Sequence, residues 1–271
     1  MIYTITLDST ENVMGKGVDV SLVMKKLGVD TTATGIVHKT HEKKIDAELD
    51  KAGIAHNFIN PGRSKKVSAE MQQELLDYLK ENLQMGDIVV VAGKFADGID
   101  PAYLIDIATL VTKKMGYIVV DVPYDTVLDI LPLHPLLIKP NEEELKSWFD
   151  KSDATLTTEQ LINLAHDMVA HGANHVLLSL GENGAAIVNL MHAFMAHAPE
   201  IESVNEVSAG ETLLGTFLAG MTKNHTPVRN LADSIAAASD TVQSEWLTNF
   251  ETTPDLQRQV IARKISFEKA Q

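Results

Sequence analysis

Residues 87–121 read DIVVVAGKFADGIDPAYLIDIATLVTKKMGYIVVD, and this stretch decides the fold class. It begins with DIVVVA at residues 87–92, which is apolar without interruption after Asp87 and predicts a strand that is buried on both faces. A helical pattern follows over residues 101–114, and a second apolar strand, YIVVD, follows at residues 117–121. Strands that alternate with helices build a parallel sheet covered on both faces. The stretch therefore predicts an α/β fold with a doubly wound, mostly parallel sheet flanked by helices.

The same alternation of strand and helix extends in both directions from this stretch. Upstream, the patterns predict strands at residues 1–7 and 31–37 and helices at residues 17–27, 42–52 and 67–83. Downstream, they predict strands at residues 136–139, 175–179, 185–189 and 193–198, and helices at residues 142–149, 158–171, 211–223, 228–245 and 254–264. No internal repeat or linker interrupts this order. The sequence therefore predicts a single domain over residues 1–271.

Composition and charge exclude several classes of protein. Of 271 residues, 45% are hydrophobic, which is enough for a sizeable core. The net charge of −14 argues against non-specific binding to nucleic acid or to an anionic membrane, because the long-range field has the wrong sign. The chain has no cysteine, which excludes disulfides and thiolate metal sites. No apolar run approaches the length of a membrane span and no signal-peptide pattern opens the chain, so we expect a cytoplasmic protein.

Residues 204–215, VNEVSAGETLLG, predict a phosphate-binding turn. They read as a strand end, a tight turn of small residues at Ser208, Ala209 and Gly210, and the first turn of a helix. The backbone N–H groups at a helix start lack intrahelical partners, so they form a ready anion site. The carboxylate of Glu211 would stand beside the bound phosphate, an arrangement that suits phosphoryl transfer. An acidic residue that merely completes the helix start is the alternative.

Two further segments have a helix start after a predicted strand or loop. Residues 14–20, MGKGVDV, place Gly15, Lys16 and Gly17 at the beginning of the first helix, where small residues allow close backbone approach. A plain helix-start turn is the alternative, and no Walker A loop occurs in the chain. Residues 139–145, KPNEEEL, form a strand end, a proline turn and an acidic first helical turn, which the helix dipole favours by itself.

Residues 179–185, SLGENGA, lie between two predicted strands and contain two glycines. Alone, the segment predicts a hairpin turn. In the order in which they occur, however, the four segments resemble the PfkB/ribokinase family of carbohydrate kinases. KPNxxEL is intact and is typical of the branch of 1-phosphofructokinase and tagatose-6-phosphate kinase, SLGxxGA also matches, and residues 204–211 resemble the signature VNTxGAGD. The resemblance spans nearly the whole chain.

The resemblance implies a kinase that uses ATP and Mg²⁺, and it assigns roles to individual residues. The catalytic group is Ser208, Ala209 and Gly210 with Glu211 as the base. The nucleotide is held by Lys139, Asn141, Ser179, Gly181 and Gly184. Glu144 lies in the neighbourhood of the metal, and carboxylate and water ligation suits Mg²⁺. The sugar substrate is bound by Asp8, Gly15, Lys16, Gly17 and Asp19.

The chain also departs from the family pattern on the substrate side. Ser208 replaces a glycine, Asp19 replaces an asparagine, and Glu211 replaces the aspartate base, which moves the carboxylate by about an ångström. The β-strands that form the family's substrate lid have little room, since residues 8–14 and 54–63 lead almost directly into helices. We therefore expect the lid to be lost or reduced to turns, and with it the lid-mediated dimer.

Other elements that read the sugar have drifted as well. The family segments GxVGxDxxG and SGSLPPG correspond here to residues 35–43 and 92–98. The Thr-Arg pair that helps to read the substrate phosphate has no counterpart. Arg63, Lys65 and Lys66 lie near its place in the sequence and are candidates to replace it. A solvated basic turn is the alternative interpretation of these three residues.

Three functions stay open at this point. The first is an ATP-dependent kinase of a phosphorylated ketohexose with weakened activity. The second is a catalytically inactive descendant that binds nucleotide as a sensor or partner protein. The third is a kinase without a lid that acts on a different small substrate, as vitamin kinases of the wider superfamily do.

Overall fold

The computed structural model describes residues 1–8, 14–62 and 66–266. These residues fall into two compact units, and the boundary lies between Leu136 and Leu137. Arg63 and Lys65 lie outside the described residues, as does most of the segment between the first strand and the first helix. The expectation of a single domain over residues 1–271 stays a prediction.

The first unit alternates strands and helices in the predicted order. Its strands are β1 (Ile2–Thr6), β2 (Thr32–Ile36), β3 (Ala55–Ile59), β4 (Ile88–Ala92) and β5 (Tyr117–Asp121). Its α-helices are α1 (Lys16–Lys26), α2 (Lys39–Ala52), α3 (Ala69–Asn82) and α4 (Tyr103–Lys113), and short 3₁₀ helices cover Asp125–Val127 and Leu131–Leu133. The strands are parallel and lie in the order β5-β4-β1-β2-β3.

Burial explains why β1 and β4 occupy the middle of this sheet. Every residue of β1 is buried, and so are four of the five residues of β4. Strands covered on both faces are mostly apolar along their length, as the sequence of β4 is. At the end of β2, Gly35 adopts a φ of 136°, and a Cβ there would overlap the carbonyl oxygen of Thr6. Only glycine therefore allows β2 to approach β1 at this point.

The second unit has a mixed sheet. Its strands are β6 (Leu137–Ile138), β7 (Val176–Ser179), β8 (Ala185–Val188), β9 (Ala193–Ala196) and β10 (Arg263–Ile265), in the order β10-β9-β8-β7-β6. The pair β6–β7 is parallel, whereas β7–β8, β8–β9 and β9–β10 are antiparallel. Its α-helices are α5 (Glu142–Trp148), α6 (Thr158–Ala170), α7 (Ala209–Thr222), α8 (Pro227–Val242) and α9 (Thr253–Gln257). A 3₁₀ turn at Gly181–Asn183 closes the β7–β8 hairpin.

Helices α7 and α8 pack closely in the core of this unit. The buried Asn230 of α8 donates from Nδ2 to the carbonyl oxygen of Phe217 in α7 at 2.7 Å. A Cβ on Gly220 would overlap Oδ1 of the same Asn230 side chain. The absence of a side chain at Gly220 therefore sets how near the two helices come.

The structure confirms most predicted elements within a few residues and corrects two of them. Residues 55–59, predicted as part of a reduced turn, form the parallel edge strand β3, which pairs with β2. Residues 254–264, predicted as one helix, contain only the short α9 and then β10, because the open edge of β9 offers Arg263–Ile265 a backbone partner. Among the helices of the described ranges, none is long and apolar enough to cross a membrane.

Candidate active site

The predicted phosphate-binding turn lies at the start of α7. Ser208 is the N-cap residue, with φ 65° and ψ 6° in the left-handed region where the family signature has glycine. The first helical bonds are Thr212 N to Ser208 O at 2.9 Å and a long one from Ala209 N to Glu206 O at 3.4 Å. Within the described part of the chain, no backbone acceptor receives the Gly210 amide. The turn therefore leaves a donor for an anion at the positive end of the helix dipole.

A buried lysine stands beside this donor. Lys139 follows β6, and the residue is only 4% exposed. A Cβ built on Gly210 would lie 3.6 Å from Nζ of Lys139, so the ammonium group is adjacent to the helix start. An ammonium group and free helical amides attract the same ligand, a phosphate or another anion. The structure thus brings together Lys139 and Gly210, which the sequence assigned to one site from separate motifs.

Asn141 and Glu144 are engaged with each other at the start of α5. The Asn141 side chain accepts from Glu144 N at 2.8 Å, and Oε2 of Glu144 accepts from Asn141 N at 2.9 Å. This reciprocal pair is a capping box, which stabilises the helix start without any ligand. KPNEEEL therefore forms a stabilised helix start, which was the alternative that the sequence allowed. One carboxylate oxygen of Glu144 is used in this capping box.

Ser179, at the end of β7, holds the same proline turn in place. Its amide donates to the carbonyl oxygen of Pro140 at 2.9 Å, and its hydroxyl donates to that oxygen at 3.2 Å. Beyond it, Gly184 has a φ of 93°, and a Cβ there would overlap the carbonyl oxygen of Ala196. Gly181 also has a positive φ, but a Cβ there would meet nothing within 4 Å. Gly184 is thus required by packing, whereas Gly181 is required only by its backbone conformation.

These elements surround a cavity of about 640 Å³ within the second unit. Six of the predicted residues line it: Asn141, Ser179, Gly181, Gly184, Ala209 and Gly210. Ser208, Glu211, Lys139 and Glu144 are not among the lining residues, and Glu211 is 5% exposed in the first turn of α7. The volume lies in the range of small-molecule and cofactor sites. The Gly210 amide at the start of α7 therefore lies on the wall of this cavity.

The apolar wall of this cavity was missed by sequence reasoning. It consists of Ile201, Leu213, Ile235, Ala238 and Val242. Three of these lie on one face of α8, with spacings of three, four and seven residues that sequence analysis assigns to core packing. The periodic signal was present, but it does not distinguish a face that packs on protein from one that packs on a ligand.

Acidic residues lie at the rim of the cavity, but they form no metal cage. Glu182, Glu200 and Glu206 are among the lining residues. Across residues 1–8, 14–62 and 66–266, no group of three or more His, Cys, Asp or Glu side chains could hold a metal ion. The few carboxylates at the cavity fit a Mg²⁺ ion that would be bound mainly by nucleotide phosphates and would keep several waters, as Mg²⁺ commonly does.

The predicted substrate residues lie in the first unit, at the carboxyl ends of its strands. Nζ of Lys16 is 3.8 Å from Oδ2 of the buried Asp121, and the lysine side chain is 41% exposed. The stem of Lys16 passes Gly93, whose Cβ would lie 3.4 Å from the lysine Cβ and Cγ. Asp8, at the end of β1, is half-buried. The ends of β1, β4 and β5 thus meet around Lys16.

The glycines beside Lys16 serve packing. A Cβ on Gly17 would lie 2.6 Å from the carbonyl oxygen of Ile5, and one on Gly15, at φ 97°, would overlap the side chain of Thr6. Thr6 also caps α1, because its Oγ1 accepts from Val18 N at 3.1 Å. Asp19 is 2% exposed within α1. These contacts support the plain helix-start alternative for the glycines.

Two aromatic residues of the first unit, Phe95 and Tyr124, were assigned no role in the sequence analysis. The Phe95 amide donates to the Tyr124 hydroxyl at 2.8 Å, and the two ring centroids are 4.9 Å apart. The next amide, that of Ala96, donates to the carbonyl oxygen of Leu7 at 2.8 Å. The segment that replaces the family's SGSLPPG is therefore anchored beside the end of β1. The difference between residues 92–98 and the family motif was the one sign in the sequence that this segment is built differently.

A comparison with protein families decides the ancestry of this chain. The profile of the pfkB family carbohydrate kinases matches residues 23–254. The chain belongs to the PfkB family. Similar PfkB kinases include a D-tagatose-1-phosphate kinase of Bacillus licheniformis, 28% identical over an alignment of 261 positions that covers 89% of this chain and 85% of that protein. A 1-phosphofructokinase of Escherichia coli is 26% identical, over 87% of this chain and 82% of that protein.

Solved structures confirm the fold of this PfkB protein. A candidate phosphofructokinase of Staphylococcus aureus superimposes with a TM-score of 0.86 at 25% identity, over 99% of this chain and 100% of that one. Phosphofructokinase-2 of Escherichia coli in complex with fructose-6-phosphate gives a TM-score of 0.80 at 17% identity, over 95% and 94% of the two chains. The predicted family and α/β fold class are confirmed, whereas the loss of the lid and of the lid-mediated dimer stays a prediction.

Proposed function

We propose that this PfkB-family protein is an ATP-dependent kinase of a phosphorylated ketohexose, of the 1-phosphofructokinase or tagatose phosphate kinase type. One observation carries the proposal. Gly210 lines a cavity that has an apolar wall, and the buried ammonium group of Lys139 is adjacent to Gly210. This combination suits a ligand with a flat apolar base and an anionic tail, which a nucleoside triphosphate is. The names of the similar kinases support the choice of acceptor.

In this proposal the nucleotide base packs against Leu213, Ile235 and Val242. The phosphates extend toward Gly210 and Lys139, which stabilise the charge on the transferred phosphoryl group. Magnesium would neutralise phosphate charge, with Glu144 and Asn141 as its nearest protein neighbours and water completing its shell. Because the ion would be bound mainly by the nucleotide phosphates, the protein would need no carboxylate cage for it.

Glu211 is the proposed base that accepts the proton of the attacking sugar hydroxyl. Its carboxylate is buried at the start of α7, one residue after the amide that faces the cavity. A positioned base of this kind typically contributes about 10²–10⁴-fold to a rate. Because the glutamate is longer than the family's aspartate by about an ångström, we propose that turnover is weaker than in relatives with aspartate.

The acceptor is assigned to the strand ends of the first unit. Lys16 supplies positive charge for a sugar phosphate, and Asp8 accepts hydrogen bonds from sugar hydroxyls. Asp121 stands 3.8 Å from the Lys16 ammonium and offsets part of that charge. This offset is consistent with a weakened acceptor site. We place the reaction in the cytoplasm, without a nucleic-acid or membrane partner.

A binding and turnover experiment tests the proposal. Calorimetry with ATP and Mg²⁺ is expected to give saturable heat, and a coupled assay is expected to show ADP release that depends on a sugar phosphate. The acceptors to compare are fructose 1-phosphate, fructose 6-phosphate, tagatose 1-phosphate, tagatose 6-phosphate and, as a non-sugar control, pyridoxal. No heat at millimolar nucleotide would exclude an ATP-dependent kinase, and turnover of pyridoxal alone would replace the sugar with a different small substrate.

A second candidate is a non-catalytic descendant that binds nucleotide. The observation that favours it is the burial of Asp19, which stands where the family has its sugar-binding asparagine. Nucleotide heat without ADP release for any acceptor would select this alternative.

A further inference from the structure

A chain of hydroxyl groups lies behind the phosphate-binding turn. Oγ1 of Thr212 donates to the carbonyl oxygen of Ser208 at 2.9 Å and lies 2.9 Å from Oγ1 of Thr241 in α8. The amide of Thr248 in turn donates to Oγ1 of Thr241 at 3.3 Å. Thr212, Thr241 and Thr248 are each 0% exposed. The chain therefore connects the turn with the loop that follows α8 through buried groups.

The donor and acceptor capacities of these groups fix the direction of each hydrogen bond in the hydroxyl chain. A backbone amide can only donate and a carbonyl oxygen can only accept, whereas each threonine hydroxyl has a single proton to donate. Thr248 N–H must therefore donate to Thr241, and the proton of Thr212 is used on Ser208. Thr241 is left to donate to Thr212. Since every proton has one place, loss of the middle hydroxyl leaves a buried donor and a buried acceptor without partners.

Asp240 fixes the far end of the chain. Its carboxylate is 4% exposed and accepts from Oγ1 of Thr252 at 2.6 Å, from Oγ1 of Thr253 at 2.5 Å and from the side chain of Thr248. Burial raises the pKa of Asp240, but these hydrogen bonds outweigh it and hold the pKa below its ordinary value. The ionised carboxylate thus orders the loop that presents the Thr248 amide.

The chain of hydroxyl groups lies next in sequence to residues that line the cavity. Ser239 and Val242 of α8 line the cavity, and Asp240 and Thr241 lie between them in sequence. At the other end, Ser208 adopts a left-handed backbone conformation, which is strained for a residue with a side chain. Such a conformation persists when its surroundings hold it in place. The hydrogen bond to the Ser208 carbonyl is one such restraint.

We infer that Thr241 is a positioning residue for phosphoryl transfer, and that Asp240 supports it through Thr248. By holding the Ser208 carbonyl, the hydroxyl chain orients the turn so that the Gly210 amide faces the cavity and Glu211 keeps its place. Neither Thr241 nor Asp240 lines the cavity. This inference rests on the proposed kinase function for its effect on turnover, but its effect on phosphate binding can be measured without turnover.

The test compares Thr241→Val, which keeps the shape and removes the hydroxyl, with Thr241→Ser, which keeps the hydroxyl. Calorimetry measures the affinities for ATP and for adenosine, which shares the base but has no phosphates. For Thr241→Val we expect the ratio of ATP to adenosine affinity to fall about tenfold and kcat to fall by about ten- to a hundredfold. Thr241→Ser is expected to restore both.

Ser234→Ala is the matched control. Ser234 is a fully buried residue of the same helix, and its hydroxyl donates to the carbonyl oxygen of Asn230 at 2.7 Å. Loss of this hydroxyl is expected to lower the free energy of unfolding about as much as Thr241→Val does. The ratio of ATP to adenosine affinity is expected to stay unchanged. If Thr241→Val and Ser234→Ala give the same affinity ratio and the same kcat, the inference is overturned.

A second variant covers the case in which Thr241→Val does not fold. Asp240→Asn keeps the shape but removes the charge that holds three hydroxyl donors, so we expect a smaller fall in the same ratio. An unchanged ratio in Asp240→Asn would then overturn the inference. A wild-type protein that binds ATP but shows no turnover would instead count against the proposed function, and the affinity ratio would still decide the positioning role.

Discussion

The two units differ in how they present positive charge. In the second unit, Lys139 is buried beside Gly210, which lines the cavity, and weak solvation there strengthens the attraction of its ammonium group for phosphate. In the first unit, Lys16 is 41% exposed and lies 3.8 Å from Asp121, so its charge is screened by solvent and offset by a carboxylate. The motif around Lys139 matches the family, whereas the substrate segments of the first unit have drifted. Under the proposed function, this difference predicts that binding energy is concentrated at the end proposed for the nucleotide, and the following predictions test it.

The largest effect is expected from removing the proposed base. Glu211→Gln keeps the shape of the side chain and should lower kcat by about 10³-fold, while ATP affinity in calorimetry changes little. Glu159→Gln, on an exposed position of α6, is the control and should leave kcat unchanged. A Glu211→Gln protein with wild-type kcat would remove Glu211 from the mechanism.

The same substitution at two glycines should separate function from stability. Gly210→Ala places a Cβ 3.6 Å from Nζ of Lys139, an ordinary contact, so the fold should tolerate it. The methyl group nevertheless stands at the anion site, and we expect kcat/KM to fall by about 10²-fold. Gly220→Ala overlaps Asn230 instead and should lower the free energy of unfolding by about 1–3 kcal/mol.

Both glycine variants are measured by urea unfolding and by the coupled assay. The comparison fails if Gly210→Ala loses as much stability as Gly220→Ala, or if Gly210→Ala retains full kcat/KM.

Lys16→Met tests the acceptor end. Methionine retains an apolar stem that can pack beside Gly93 but has no charge, so KM for the sugar phosphate should rise about tenfold while ATP affinity stays constant. Lys113→Met, at the end of α4, controls for the general loss of a lysine. If Lys16→Met instead weakens ATP binding and spares KM for the sugar, the roles assigned to the two units are reversed.

The free energy of unfolding at acid pH should depend on Asp240. Its pKa is lower in the folded protein than the unfolded value near 3.9, so its stabilising contribution is present above about pH 4 and is lost as pH falls through the folded pKa. The difference in unfolding free energy between wild type and Asp240→Asn should therefore shrink between about pH 6 and pH 3. A difference that stays constant over this range would contradict the assignment.

The smallest effect is expected from Ser208→Gly. Glycine adopts the left-handed backbone of this position without a steric cost, so the free energy of unfolding should rise by about 1 kcal/mol or less. Ser147→Gly, in the last turn of α5, should instead lower stability, because glycine disfavours a helix interior by about 1 kcal/mol. A loss of stability in Ser208→Gly would show that the serine side chain contributes to the turn.

Much of the fold was predictable because its signals are local. The apolar run of β4 and the helix start at Asn141 each follow from neighbouring residues, and so does the tight turn at Ser208 that begins α7. The two wrong predictions concern sheet edges. Residues 55–59 and 263–265 become strands because another strand offers them backbone partners, and a short segment carries no sign of that partner.

The sequence by itself determined the α/β class, the family resemblance and the residue types at the phosphate turn, since these depend on periodicity and short motifs. Only the tertiary structure decided that Lys139 stands beside Gly210, that one face of α8 forms a cavity wall, and that Thr212, Thr241 and Thr248 form one hydrogen-bonded chain. The physical reason is that these groups lie far apart along the chain. Burial and hydrogen bonding act between them only after the helices and strands have packed.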